Sequence, residues 1–493
     1  MLDSSSEVVA RSPTWVHLRK VGAAGRHPSD LFSGGDEKEE EAPGVEAAGV
    51  AAGAPGSGAM ASLSGKGEAG VAATRAARWQ WAVLAAVALL MLKTIHDSTA
   101  LLEPATRNTF LFEVFLYYNP LVTVAYMVAL WGVNLWAFAH SRVSYPKVFN
   151  IDPASHLTQH DLWKIAAWLG VAVLSSAAAF LYCFTHGAPR AAAAQPMLLY
   201  AALPLVLALP FDVLYAPSRF FFLTTLGRML LPLQPISFPD FFVADVLTSM
   251  SKVLSDLERA TCRMLNGQVA SLLWLGPDDV CGGHAMAIPC VLALPYACRF
   301  FQCCRQYSDT REKNCLLNAL KYATAFPVIL FSGIKYRVPL EEWRGFWKPL
   351  WIVAAVVNSS YSFYWDIARD WDLTAFSPAA CHGRHPLLRA NLYYPHKWVY
   401  YWAMVTDGVL RASWTYKLSA HLRHNHLTVF FFSALEITRR FQWIFFRVET
   451  EWCRMLLKAE QRDSALNLQA LAGGGRDEEA EQLLPREQSK DRV

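Results

Sequence analysis

Charge is scarce in this sequence. Asp, Glu, Lys and Arg make up 17% of its 493 residues, whereas 54% are hydrophobic, and the mean hydropathy is +0.20. Such a chain is too apolar for an ordinary soluble protein, so its composition predicts several membrane spans. The net charge is only +4 and no concentrated basic face is visible, which argues against a nucleic-acid partner.

Motifs of catalysis and of metal binding are also missing. The sequence has no GxSxG, HExxH or P-loop in a suitable context, so we do not predict an enzyme. Its ten cysteines are scattered and form no pair of CxxC units with zinc spacing. His421, His424 and His426 share a short loop with no acidic or Cys neighbour. Neither a metal nor another cofactor is therefore expected.

The two ends of the chain lack apolar runs. Residues 1–74 are rich in Gly, Ala and Ser and carry an acidic run at 36–41, which predicts a disordered, low-complexity cytosolic tail. No apolar h-region is present there, so no cleavable signal peptide is predicted. Residues 453–493 are polar with a glycine break at 473–475, and we predict a second disordered cytosolic tail.

Between these tails, apolar runs of about 20 residues indicate an all-α polytopic membrane protein with about ten spans. The predicted spans are 79–96, 112–139, 161–184, 197–216, 241–265, 285–303, 315–334, 346–366, 397–417 and 427–447. We group residues 75–235 as the first four spans with an interfacial helix at 217–228, and residues 236–452 as a core of six spans.

Lys and Arg residues in the short loops indicate the orientation. They follow spans two, four, six and eight, whereas the loop 266–284 between spans five and six has none. The loop after span seven is a counterexample with three basic residues. On balance, both termini are predicted to be cytosolic. The C-terminal tail also contains Glu479, Leu483 and Leu484 in an acidic-dileucine pattern of the kind that sorting adaptors bind. A tail that no adaptor binds is an equally good interpretation of so short a pattern.

The last predicted span carries charges where hydrocarbon cannot solvate them. Glu436, Arg439 and Arg440 lie at i, i+3 and i+4 on one helical face. A guanidinium stays charged when buried, and its planar fork fits carboxylate or phosphate oxygens. One alternative is that Glu436 and Arg440 neutralise each other for packing. Another is that the arginines extend to the cytosolic surface.

Other core spans also carry polar residues at helical spacing. Those we assign to a shared polar cavity are Asp245, Thr248, Ser251, Lys321, Tyr322, Asp366, Asp370, Arg411 and Trp414. Asp407 shares a helical face with Arg411. Each such charge alone could be a structural bond between helices, worth about 0.6 kcal/mol. Their recurrence favours a cavity in which cations bind an anion and carboxylates keep the affinity moderate, as conduction requires.

Several ordered blocks resemble the EXS-domain family, the membrane domain of eukaryotic phosphate exporters. They include 132–134, 149–153, 238–245, 299–310 and 436–449, and the resemblance covers roughly 112–452. It implies that inorganic phosphate moves through a pore formed by the last six spans. Family positions bordering phosphate fall on Asp245, Ser251, Lys321, Tyr322, Asp366, Asp370, Arg411, Trp414, Glu436, Arg439 and Arg440. Thr248 stands where the family is expected to have Asn.

Exporters of this type carry a cytosolic SPX domain, a sensor of inositol pyrophosphates, and residues 1–74 are too short and too poor in lysine to form one. The sequence is therefore more similar to the SPX-less Golgi branch. The leading expectation is phosphate transport, from the Golgi lumen to the cytosol or by export from the cytosol, across an endomembrane or the plasma membrane. The alternative is a Golgi trafficking factor that retains glycosyltransferases, with a purely structural charged core. Expected partners are phosphate and the lipid bilayer, and further candidates are a homodimer and a sorting adaptor.

Overall fold

The computed structural model describes most of the chain as helix. The described residues are 57–152, 156–212, 214–269, 281–282, 285–376, 385–389, 392–419 and 426–482. Within these ranges the regular elements are helices, without strands. The prediction of an all-α protein is confirmed.

The N-terminal half contains six helices. Their bounds are α1 Ser57–Ala100, α2 Pro104–His140, α3 Tyr145–Phe149, α4 Gln159–Thr185, α5 Pro189–Ala208 and α6 Ala216–Leu230. Helix α4 begins with a capping box in which Thr158 and Asp161 satisfy each other's backbone N–H groups. Helices α2 and α4 pack closely at Gly132, where a methyl group would lie 2.6 Å from the Trp163 indole.

The C-terminal half contains the remaining helices. Their bounds are α7 Phe238–Ser249, α8 Ser251–Leu265, α9 Ala287–Thr310, α10 Lys313–Ala323, α11 Ala325–Ile334, α12 Leu340–Glu342, α13 Lys348–Trp365, α14 Trp398–Arg411 and α15 His426–Gln482. Helix α13 is flanked by π-helical turns at Trp343–Trp347 and Asp366–Asp370, and α14 continues as a 3₁₀ helix at Ala412–Leu418. A further 3₁₀ turn spans Thr374–Phe376.

Six helical segments in the described ranges are long and apolar enough to cross a membrane. They are Arg78–Ala100, Phe110–His140, Gln159–Thr185, Pro189–Ala208, Ala287–Thr310 and Lys313–Ile334. These match predicted spans one to four, six and seven, and a polytopic membrane protein is confirmed. The other four predicted spans coincide with α7 and α8, α13, α14 and α15, which are interrupted or carry more charge. The total of ten therefore stays a prediction.

Both predicted tails are shorter in the structure. Helix α1 begins at Ser57, inside the predicted N-terminal tail, and α15 continues to Gln482 through the glycines at 473–475. Segments 57–74 and 453–482, for which the composition predicts disorder, are thus described as helix. Each of these segments extends an existing helix, so it adds hydrogen bonds without the cost of starting a new one. The rest of the predicted tails, 1–56 and 483–493, lies outside the described residues.

Arg219 of α6 closes the end of α5. Its guanidinium donates to the backbone carbonyls of Val206, Leu207, Leu209, Phe211 and Leu214, at 2.8–3.2 Å. The last carbonyls of a helix have no partner inside that helix. Arg219, which is 7% exposed, therefore satisfies groups that lipid could not.

A disulfide joins Cys262, near the end of α8, to Cys281. No signal in the sequence marks this pair, because connectivity cannot be deduced from cysteine spacing alone. Disulfides persist in oxidising compartments such as the lumen of the secretory pathway or the cell exterior.

Candidate functional site

Ionisable side chains from all six predicted core spans meet in one place. We call this the core charge cluster, and its members are Asp245, Arg299, Lys321, Asp366, Asp370, Asp407, Arg411, Glu436, Arg439 and Arg440. It contains as many cations as carboxylates. The cations differ in how many carboxylates they contact. This difference indicates which of them could bind a further anion.

Arg439 of α15 is fully engaged with carboxylates. Its Nε and Nη2 donate to the two oxygens of Glu436, at 2.9 and 2.7 Å. Its Nη1 lies 3.1 Å from an Asp407 oxygen and 3.4 Å from an Asp366 oxygen. A guanidinium held by three carboxylates and 3% exposed has little capacity left for another anion, so Arg439 primarily organises the cluster.

Arg440, the next residue, has a different environment. Its Nε donates to Ser249 Oγ at 2.9 Å and its Nη2 to Thr248 Oγ1 at 3.2 Å. Its guanidinium carbon lies 4.5 Å from the centre of the Trp443 ring. Within the described part of the chain, no carboxylate oxygen lies within 4.0 Å of it. The alternative in which Glu436 neutralises Arg440 is therefore wrong, because Glu436 pairs with Arg439.

Arg411 of α14 completes the acidic side of the cluster. Its Nε lies 3.0 Å from an Asp407 oxygen, and its Nη2 donates to Asp366. Both carboxylates are thus shared with Arg439. Asp366 begins the π-helical turn at the end of α13, and that wider turn also contains Asp370.

Lys321 of α10 is only loosely paired. Its Nζ lies 3.9 Å from Asp370 Oδ2 and 4.4 Å from the centre of the Tyr322 ring. Asp370 also accepts a hydrogen bond of 3.1 Å from the Trp443 indole. Lys321 is only 8% exposed. It is therefore a second nearly buried cation of the cluster, and its salt-bridge partner Asp370 is distant.

The predicted polar stripe of α7 is altered by a break in the helix. Asp245, Thr248 and Ser251 would share one face of a continuous helix, but α7 ends at Ser249 and α8 begins at Ser251. The Met250 amide instead bonds to the Leu247 carbonyl, three residues back. Ser249 consequently accepts hydrogen bonds from Arg439 and Arg440, at 3.2 and 2.9 Å. The half-buried Ser251 contacts the hydroxyl of Tyr296.

Tyr322 and Trp414 take different positions relative to the cluster. The Tyr322 hydroxyl donates to Asp245, so Tyr322 lies inside it. Trp414 lies in the 3₁₀ segment after α14, so the predicted regular helical spacing from Arg411 is wrong. Its ring packs edge-to-face on Trp351, with centroids 5.5 Å apart. Trp414 therefore lines the same helix bundle beside Trp351.

Three side chains of this site were not in the predicted set. They are Ser249, Arg299 and Asp407, and each is buried. Arg299 and Asp407 are ionisable residues within predicted spans, which is itself a signal of a functional site. No signal in the sequence marks Ser249, because its position depends on the helix break. Of the predicted sorting residues, Leu483 and Leu484 lie outside the described residues, and only the backbone of Glu479 is described.

The model of the EXS family matches residues 114–453. The chain belongs to the EXS family. This match begins in α2, ends in α15 and includes every member of the core charge cluster. The family membership inferred from the sequence is confirmed.

Relatives from distant organisms share this EXS region. The chain is 31% identical to SPX and EXS domain-containing protein 3 of Dictyostelium discoideum over 336 residues, which cover 66% of the chain and 35% of the relative. It is 31% identical to a xenotropic and polytropic retrovirus receptor 1 homolog of Danio rerio over 382 residues, covering 74% and 54%. For human solute carrier family 53 member 1, identity is 32% over 340 residues, covering 65% and 48%.

This EXS chain therefore spans about a third to a half of the length of these relatives. One of them is named as a solute carrier and another as a receptor homolog. The activities of the whole relatives come to this chain only as proposals.

Proposed function

We propose that this EXS protein transports inorganic phosphate across a membrane, through a path that includes the core charge cluster. The observation that carries the proposal is Arg440, a guanidinium 6% exposed whose contacts are two hydroxyls and one aromatic ring. A buried charge is costly unless an opposite charge compensates it. Arg440 therefore favours an anion that enters from outside.

The neighbours of Arg440 favour an oxyanion such as phosphate. Its planar fork can donate two parallel hydrogen bonds to oxygens of one tetrahedral group. Lys321 supplies a second cation, and it interacts electrostatically with Asp245 and Asp366, as Arg440 does. The hydroxyls of Thr248 and Ser249 add further hydrogen-bonding groups. This chemistry, together with the resemblance to phosphate exporters, supports phosphate as the transported ion.

The carboxylates of the cluster favour a site that releases phosphate, as transport requires, over a site that retains it. Arg411 and Arg439 are compensated by Asp366, Asp407 and Glu436 when no anion is bound. A bound phosphate competes with these carboxylates, which limits its affinity and permits release. In this proposal the twelve predicted site residues border the path, with Arg440 and Lys321 as direct ligands and Arg439 as the residue that organises them.

We further propose that the protein resides in the Golgi or another endomembrane, with both termini cytosolic. The loop with Cys281 is joined by a disulfide to Cys262, which supports a loop in an oxidising lumen or at the cell exterior. Lys and Arg residues are concentrated in the loops predicted to lie on the opposite side.

The test is phosphate flux into liposomes that contain the purified protein. Arg440→Ala should reduce flux about ten- to a hundredfold, the effect of losing one desolvated charge-assisted contact. Arg454→Ala is a matched control, because Arg454 lies on the same helix but its side chain is 44% exposed. Wild-type flux from a folded Arg440→Ala protein would contradict the proposed site.

A further inference from the structure

Arg299 of α9 is enclosed by protein groups. Its Nε lies 2.9 Å from Asp245 Oδ1, and its Nη1 donates to Gln302 Oε1 at 2.7 Å. Its guanidinium carbon lies 5.3 Å from the Phe241 ring centre and 4.8 Å from that of Tyr322. The arginine is only 2% exposed, so we look for its role in its effect on Asp245.

Asp245 is the carboxylate of α7 closest in sequence to Thr248 and Ser249, whose hydroxyls accept hydrogen bonds from Arg440. The Thr248 hydroxyl donates to the Asp245 backbone carbonyl at 2.7 Å and accepts from Arg440. The Asp245 carboxylate interacts electrostatically with Arg299, Lys321 and Arg440. Its hydrogen bonds, however, come from Arg299 and from the Tyr322 hydroxyl.

Gln302, the second hydrogen-bond partner of Arg299, connects it to the neighbouring helix α7. Gln302 is fully buried, and its amide nitrogen donates to the Asp240 carbonyl at 3.2 Å. Asp240 in turn caps the start of α7 through Ser237. Helices α7 and α9 are thus bonded at two levels, and Arg299 cannot move without breaking its bonds to Asp245 and Gln302.

We propose that Arg299 is a positioning residue that keeps Asp245 from pairing with Arg440, so that Arg440 remains available to the anion. The proposal rests on the proposed phosphate transport. Without Arg299, Asp245 is a buried carboxylate whose remaining cationic partners are Lys321 and Arg440. An internal carboxylate on Arg440 then competes with phosphate for the same donors.

The experiment compares four proteins by phosphate flux in liposomes: wild type, Arg299→Gln, Arg299→Lys and the double variant Arg299→Gln/Asp245→Asn. In Arg299→Gln the half-saturating phosphate concentration should rise about tenfold or more, because Asp245 forms a charge-assisted bond with Arg440. The maximal rate at saturating phosphate should fall less. Arg299→Lys keeps the counter-charge and should stay within about threefold of wild type.

The double variant separates positioning from a merely structural role. It removes the competing carboxylate together with its partner, so the half-saturating concentration should fall back from that of Arg299→Gln toward that of wild type. If the double variant stays as weak as Arg299→Gln, Asp245 contributes to phosphate binding itself and the proposal is wrong. An unchanged half-saturating concentration in Arg299→Gln also overturns it.

Three further outcomes are decisive. If Arg299→Gln does not fold, the double variant decides alone, and a large loss of phosphate affinity in the folded double variant refutes the role of Arg299. If wild-type protein moves no phosphate, both proposals fail. If Arg440→Ala loses flux while Arg299→Gln behaves as wild type, the proposed function stands and only the role of Arg299 is lost.

Discussion

The adjacent arginines of α15 should respond in opposite ways to truncation. Arg439→Ala removes the partner of Glu436 and leaves Asp366 and Asp407 to share Arg411. Breaking a buried ion pair by removing one partner costs about 3–5 kcal/mol. We therefore expect Arg439→Ala to destabilise the folded protein strongly.

Arg440→Ala should leave stability nearly unchanged. The lost contacts are hydrogen bonds to Ser249 and Thr248, worth about 1.5–3 kcal/mol each at most because the donor is charged. The same change removes a buried cation that lacks a counter-ion, and relief of that desolvation cost offsets the loss. The main effect of Arg440→Ala should therefore be on phosphate flux.

The assay is thermal unfolding in detergent, measured as the fraction of protein that remains monodisperse after heating. Arg439→Ala should unfold well below wild type, whereas Arg440→Ala and the exposed control Arg454→Ala should unfold near it. Adding phosphate should stabilise wild type, since a ligand that binds the folded state stabilises it, but it should not stabilise Arg440→Ala. Equal destabilisation by the two buried arginine variants would refute the distinction drawn between them.

Two other regions give independent predictions. Arg219→Ala leaves up to five carbonyls at and after the end of α5 without their donor. Each carbonyl left unsatisfied costs about 1–3 kcal/mol, so this variant should unfold at a clearly lower temperature than wild type. Unfolding at the wild-type temperature would show that water or other groups replace the guanidinium. In protein denatured without a reductant, Cys262 and Cys281 should resist maleimide labelling, and both should be labelled once a reductant is added. Labelling of both thiols without reductant would contradict the disulfide.

The sequence predicted the elements of the site better than its contacts. Helical spacing placed Glu436, Arg439 and Arg440 on one face, and the structure has them there. Which arginine pairs with Glu436 could not be predicted, because i+3 and i+4 positions both reach it. The choice depends on Asp407 and Ser249, which approach from other helices.

Breaks in helices explain the other differences at the site. Periodicity assumes a regular 3.6-residue turn, but α7 ends at Ser249 and α14 changes to a 3₁₀ helix after Arg411. A tighter turn rotates every later residue to another face. Ser251 and Trp414, which follow these breaks, are therefore the predicted residues displaced from the arginines, whereas Asp245 and Arg411, which precede them, point into the cluster.

Composition likewise predicted the class of the protein but not the ends of its helices. Polar segments fail to fold when they are isolated, and this is the basis of the disorder prediction. At 57–74 and 453–482 the chain instead continues a helix that is already nucleated. Packing at Trp452 and Leu456, both buried, also anchors the beginning of the C-terminal extension.

The uninterrupted course of α15 has a mechanical consequence. The helix has 57 residues and is therefore about 85 Å long, with roughly 60 Å between Arg440 and its far end. Pivoting at Arg440, a tilt of about 5° displaces that end by about 5 Å, which follows from its length. Tilting α15 as a rigid rod about Arg440 would therefore move its far end much farther than the residues around Arg440.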